Sequence, residues 1–350
     1  MDKSDNKKKK NKKSRNFILV TAITLIIIAV IFICQMISYS GNTEPSDNAK
    51  KDIGSGIDND SGEQSLSKGM AIYDKNNGTI HDSILVYEIV KNKKTPQMKV
   101  VSYYDIDMEK LKIPSKVTYE GKEYTVTSIG NSSFESNTAL KDVKISDTIR
   151  NIGDNAFYSC SALEKVVFSD GVESIGKGVF GECSELKDIE FGKGLKGIGD
   201  ESFCDCISLT EITIPGSVES MGKSVFFGCE NMVKCTFEDG ILAVPPETFT
   251  NCYKLKDFVL PESVVSIGNE AFWSCEELKE LILPSKLAVC GESAFYSSGI
   301  IKLAIRSTLL QPDEKMLEGC DTIKEVIVPE SMIDTYKKAY GTKEIKVKSL

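Results

Sequence analysis

Residues 254–275 read KLKDFVLPESVVSIGNEAFWSC, and the fold is decided by how often that pattern returns. Its phenylalanine belongs to a column spaced by 23 residues: Phe134, Phe157, Phe180, Phe203, Phe226, Phe249, Phe272 and Phe295. The chain has fifteen phenylalanines, so more than half share one register. Three residues on stand Cys160, Cys183, Cys206, Cys229, Cys252 and Cys275. Leu140, Leu163, Leu186, Leu209, Leu255 and Leu278 follow three residues later. Residues 208–229, SLTEITIPGSVESMGKSVFFGC, are another copy. A period of about 20 to 50 residues marks a solenoid.

The unit is L-x-x-apolar-x-apolar-P-x-x-V-x-x-I-G-x-x-A-F-x-x-C. Its opening alternates with period two, as a short strand with one buried face does. Pro215, Pro261, Pro284, Pro329 or Gly192 then ends the strand. The Ile-Gly pairs, such as Ile152-Gly153 and Ile267-Gly268, place a turn before a single predicted helical turn carrying Ala-Phe. Departures keep the pattern: Met232 replaces the leucine, Cys235 a strand residue, Cys290 the isoleucine and Pro245 the turn glycine. After Phe295 the step shortens by one, to Leu317, Cys320 and Ile323. No such unit can bury its own apolar side, so each needs a neighbour above and below. The expected fold is an α/β repeat solenoid of leucine-rich type, with a parallel sheet of short strands over residues 126–328. β-rich runs without the period (83–90, 99–104, 116–119, 123–127) put an N-terminal β cap at 70–125. A helical stretch at 332–340 and a strand at 343–348 put a C-terminal cap at 329–350.

The paired motifs SIGxxAFxxC and LxxIxIPxxV resemble those of the BspA-like leucine-rich-repeat proteins of microbial surfaces. The resemblance covers about residues 87–350. It implies a parallel-strand solenoid with both caps and, because some members are adhesins, binding of host matrix or plasma proteins. The ninth motif position is commonly Asn or Cys. Here it holds Thr148, Gly171, Gly194, Ser217, Gly240 and Ser263, which suits this subfamily.

Residues 1–16 carry seven lysines and Arg15 against Asp2 and Asp5, and residues 17–39 carry no charge. At about 1.5 Å per residue this run reaches roughly 34 Å as a helix, enough to cross a bilayer core. Basic residues stay on the cytoplasmic side, so the repeats are expected outside the cell. The length favours an uncleaved signal anchor, while Ser38-Tyr39-Ser40 offers a small-x-small pattern for cleavage. Residues 40–69 are polar and rich in Gly, Ser, Asn and Asp, the composition of a disordered spacer. The arm holds eight cations against two acids, so with −8 overall the remainder carries −14. That charge argues against nucleic acid, and against broad attraction to anionic membranes, for the exported part.

Eleven cysteines in an exported chain would ordinarily suggest disulfides. Seven of them share the inward F-x-x-C position, where a free thiol serves as a small apolar side chain. A ladder of reduced thiols is therefore expected. Cys204-Asp205-Cys206 has no histidine or second pair beside it for zinc. The single histidine, His81, lies outside the repeats, which removes histidine-dependent catalysis. The G-x-G-x-x-G at residues 192–197 occupies repeat turns and not a strand–helix mouth. Neither an enzyme nor a cofactor is expected.

Binding is expected on outward strand positions. Lys141, Lys187, Lys256, Lys279, Lys302 and Lys324 are read as following the leucine position, with Asp142, Asp188, Glu211, Asp257, Glu280 and Glu325 beside the lysine column. Two residues beyond the acidic column the series is Lys144, Val167, Glu190, Thr213, Thr236, Val259, Ile282, Ala304 and Ile327. The last four, Val259, Ile282, Ala304 and Ile327, form an apolar stripe on the concave sheet and are the first candidate contact for an extracellular protein or glycan. Trp273 and Tyr296, each directly after a repeat phenylalanine, are the second, placed to stack on a sugar or a partner side chain. The competing expectation is a passive envelope protein with no dedicated ligand.

Overall fold

The computed structural model describes residues 72–74, 78–91, 93–104, 107–341 and 345–350. The basic arm, the apolar run 17–39 and the spacer 40–69 lie outside them. The described residues fall in one compact unit, a right-through stack of rungs with the expected spacing. Each rung as far as that of Phe295 contributes two short strands and an arc. The first strands form a leading sheet, and their parallel register is the 23-residue period: Val143 is opposite Val166, and Val166 opposite Ile189. The second strands form a trailing sheet, with Ile152 opposite Ile175 and Ile175 opposite Ile198. The glycine after each of these isoleucines is required by close approach: a Cβ on Gly199 would sit 2.4 Å from the Gly176 backbone.

The arc carrying Ala-Phe differs from the helical turn expected. It is a chain of tight turns in which the residues two before and two after each phenylalanine are left-handed. Asn155 and Ser159 flank Phe157, and Glu270 and Ser274 flank Phe272, all at φ between 55° and 57° or within a few degrees of it, Ser159 being at 53°. Alternating right- and left-handed residues turn successive N–H groups in opposite directions. Asn155, Phe157 and Ser159 donate to the next rung, while Ala156, Tyr158 and Cys160 close turns within their own. A helix would keep all of them inside one unit. The arc instead spends half its donors on holding neighbouring rungs together.

Inside, every repeat phenylalanine is fully buried. Neighbouring rings lie 4.9–5.8 Å apart with planes within 22° of parallel. That is the offset-stacked arrangement aromatic pairs prefer. Tyr103 of the N-terminal cap extends the stack over Phe134 at 5.4 Å. The cysteines line the same core, and their sulfurs approach the carbonyl of the phenylalanine one rung back at 3.1–3.3 Å. That carbonyl also accepts the N–H three residues on in its own rung, from Asn137 at Phe134 and from a cysteine at Phe157, Phe180, Phe226 and Phe249. A leucine there would fill the space and leave the second lone pair empty. Burial pushes the thiols of Cys183, Cys206, Cys229, Cys252 and Cys275 up, out of reach of ionisation near neutrality.

Both caps form. Antiparallel strands Thr79–His81, Leu85–Ile89 and Gln97–Tyr103 lead into Lys122–Ile129, which pairs in parallel with the first trailing strand. Lys110–Lys112 is an added first rung of the leading sheet, opposite Asp142–Lys144. At the other end the helix Ile333–Tyr340 buries Tyr336 and Tyr340, whose hydroxyls donate to the carbonyls of Leu310 and Asp313. The strand Lys346–Ser349 then closes the leading sheet.

Candidate functional site

The leading sheet is built in three ladders: strands from Lys110–Lys112 to Asp188–Glu190, from Glu211–Ile214 to Asp257–Val259, and from Glu280–Leu283 to Lys346–Ser349. This divides the expected stripe. Ile282, Ala304 and Ile327 are in direct register, and the series ends on Lys348. Val259 belongs to the preceding ladder, opposite Thr236, and stands on its outermost strand. Val259 is 76% exposed, and Ile282, on the first strand of the next ladder, 47%. Ala304 and Ile327 are half-buried.

One register assignment changes. Lys302 stands opposite Glu280 and Glu325, so it occupies the acidic column and not the lysine column. The shortened step after Phe295 moved it by one residue. Ile301 takes the place beside Lys279 and Lys324: its N–H bonds the Lys279 carbonyl, and Lys324 N–H bonds its own. Ile301 is 41% exposed, on the far side of the charged column from Ile282 and Ala304. Counting from the preceding leucine hides it, whereas counting back from Leu303 finds it.

A charged column borders the stripe: Glu280, Lys302, Glu325 and Lys346 alternate in sign. Lys302 lies 3.6 Å from Glu280, and Lys348 pairs with Glu325, whose carboxyl that contact holds below the usual range. These pairs are exposed and contribute little to stability. The stripe is thus apolar along its centre and charged along this side.

Trp273 and Tyr296 do meet, with ring centroids 4.3 Å apart, but they stack on each other. Gly319, at φ +64°, lies against Tyr296 so closely that a Cβ would come within 2.3 Å of its ring. Tyr296 therefore has a neighbour on each face. The pair offers a rigid aromatic edge, and no pair of open faces on which a sugar could lie.

The profile described as BspA type leucine rich repeat region matches residues 99–233 and 242–349, in six copies. A leucine-rich repeat protein from Bacteroides ovatus is similar in structure, with 28% identity, a TM-score of 0.60, and coverage of 77% of this chain and 76% of that one. The leucine-rich repeat protein of T. pallidum shares the fold at 20% identity and a TM-score of 0.50, over 68% of this chain and 92% of its own. A search of curated proteins returns no match.

Proposed function

We propose that this chain, which belongs to the BspA-type leucine-rich repeat family, is a membrane-tethered binding module displayed outside a bacterial cell. In this reading residues 17–39 are a single-pass anchor with the basic arm in the cytoplasm, and residues 40–69 hold the repeats away from the bilayer. Among the described residues no helix is long and apolar enough to cross a membrane, and the run 17–39 lies outside them. The module acts by adhesion to an extracellular protein or glycan and not by catalysis.

The observation that carries the binding reading is the exposure of Val259 and Ile282 on a strand face that is elsewhere mostly polar. With Ala304 and Ile327 they supply an apolar centre, and the alternating charges supply its rim. Such a surface suits a protein ligand better than a sugar, because its recognition groups are aliphatic. The test is Val259→Lys with Ile282→Lys, in residues 70–350, assayed against panels of matrix proteins and glycans. Both side chains already face water, so the melting temperature is expected to hold while affinity for a captured ligand falls at least about tenfold, as a charged intrusion into an interface centre does. Affinity within about twofold of the parent rules the stripe out and leaves the Trp273–Tyr296 edge as the contact. If no panel member binds the parent protein, the passive envelope role stands.

A further inference from the structure

The charges on the leading sheet follow a rule that one pair breaks. Lys110 is opposite Asp142, Asp142 opposite Lys165, and Lys165 opposite Asp188. Glu211, Lys234 and Asp257 continue the alternation, as do Glu280, Lys302, Glu325 and Lys346. Among the described residues every charged pair directly opposite in this sheet joins opposite signs, except Lys112 and Lys144. Like charges placed so destabilise a sheet. The strands are about 4.8 Å apart, and both side chains are exposed.

Nearby carboxylates do not relieve the pair. Asp142 receives Lys110 at 3.1 Å, Glu190 receives Lys165 at 2.5 Å, and Glu109 receives Lys141 at 2.6 Å. No carboxylate among the described residues lies within ion-pair distance of Lys112 or Lys144. Lys112 and Lys144 line an open groove of about 300 Å³ together with Lys110, Lys165 and Asp142, the last already paired with Lys110. Its floor is Leu111 and Val143, both buried, with half-buried Val167 beside them, so charged lysines rim a mainly apolar base.

We propose that Lys112 and Lys144 form a subsite for the carboxylate or sulfate groups of an acidic polysaccharide. One anion placed between them would satisfy both and remove their repulsion. A sugar is favoured over an acidic peptide because the groove is open and does not enclose an anchoring side chain, while its lysines stand along the rim. A polyanionic sugar needs only repeated point charges, which lysine supplies. This subsite is at the opposite end of the sheet from the apolar stripe and does not rest on it.

The test uses the full-length chain in non-ionic detergent, with a heparin-derived tetrasaccharide, a tetragalacturonate and an octaglutamate peptide as probes. Acetylation of each lysine is followed by mass spectrometry, which separates this groove from the basic arm. Lys112 and Lys144 are expected to be protected at least about threefold by one saccharide or both, and Lys122 not at all; which saccharide protects tells sulfate from carboxylate. Lys112→Gln with Lys144→Gln should weaken binding at least about fivefold, and Lys144→Gln alone should raise the melting temperature without ligand by relieving the repulsion. Unprotected Lys112 and Lys144, or unchanged affinity in the double variant, overturns the proposal. Protection by octaglutamate at lower concentration than by either sugar reassigns the groove to acidic peptides and overturns it equally. The Val259→Lys, Ile282→Lys protein should show the same protection as the parent, so the two readings fail separately.

Discussion

The first rungs and the last share an interior and differ on their faces. Before the rung of Phe249 the trailing side carries Arg150, Glu173, Lys196 and Glu219, joined one to the next by backbone hydrogen bonds. From that rung on, the same positions hold Leu242, Val265 and Ala288, bonded in the same way, and Leu242 is 48% exposed. The leading sheet changes within one rung of this point, from Thr213 and Thr236 to Val259 and Ile282. The phenylalanine stack and the thiol ladder run through the transition without interruption as far as Phe295 and Cys275. The core therefore sets the backbone in both regions, and the polarity of the surface varies independently of it.

The largest effect expected tests whether that interior is one system. Below about pH 8.5 folded and unfolded chains both keep their thiol protons; above it the unfolded chain ionises while the buried thiols do not. The unfolded state then binds fewer protons, so stability falls as pH rises, by about 1.4 kcal/mol per unit for each raised thiol. Cys183, Cys206, Cys229, Cys252 and Cys275 add together, exceeding any single substitution. Denaturant unfolding of reduced protein between pH 7 and about 10 should show one steep loss, shallower in a Cys229→Ala, Cys252→Ala variant. A profile flat to pH 10 would mean the sulfurs are not buried in either region.

Next in size, Phe157→Ala and Phe272→Ala should each destabilise by about 3–5 kcal/mol, in the charged and the apolar region respectively. Equal losses keep the interior uniform. A loss below about 1 kcal/mol in one of them would separate the regions inside as well as outside. The smallest expected effect concerns the faces. Glu164→Gln, which removes the partner of Lys187 at 2.7 Å, and Glu280→Gln, which removes that of Lys302, should each leave the melting temperature within about 2 °C of the parent. A larger drop at Glu164 alone would give the charged face a structural role absent from the other.

The phenylalanine, cysteine and leucine columns made the solenoid legible because burial restricts each to one residue type. The helix and strand of the C-terminal cap were legible from their own periodicity. The rung Lys110–Lys112 was not, although Leu111, Ile113, Pro114 and Val117 fit the motif. It precedes its partner by 32 residues, since the antiparallel pair Lys116–Tyr119 and Lys122–Ile129 is inserted between them. The left-handed arc was hidden because glutamate and serine occupy it at Glu201, Glu247 and Ser293, where glycine would have announced it. Of the candidate site, the outward direction of the stripe was readable from alternation. Its division at Val259 was not, because ladder bonds depend on the approach of two backbones whose side chains look ordinary. The mutual stacking of Trp273 and Tyr296 was missed for a related reason: adjacent rungs put equivalent side chains within reach of each other before any ligand.

The arrangement of rung-to-rung bonds has a mechanical consequence. They run along the axis of the stack, so the rungs are coupled in series and a pull between its two ends loads every junction alike. The leading ladder is interrupted between the rungs of Phe203 and Phe226 and again between those of Phe272 and Phe295. The trailing ladder is interrupted between the rungs of Phe226 and Phe249, where Pro245 has no N–H to donate as Gly222 does. No junction lacks both, and the arc bridges all three: Phe203, Phe226 and Phe272 each donate to the next rung at 2.8–3.0 Å. Under tension the two sheets would yield at different junctions, and the arc would remain the continuous cable between them.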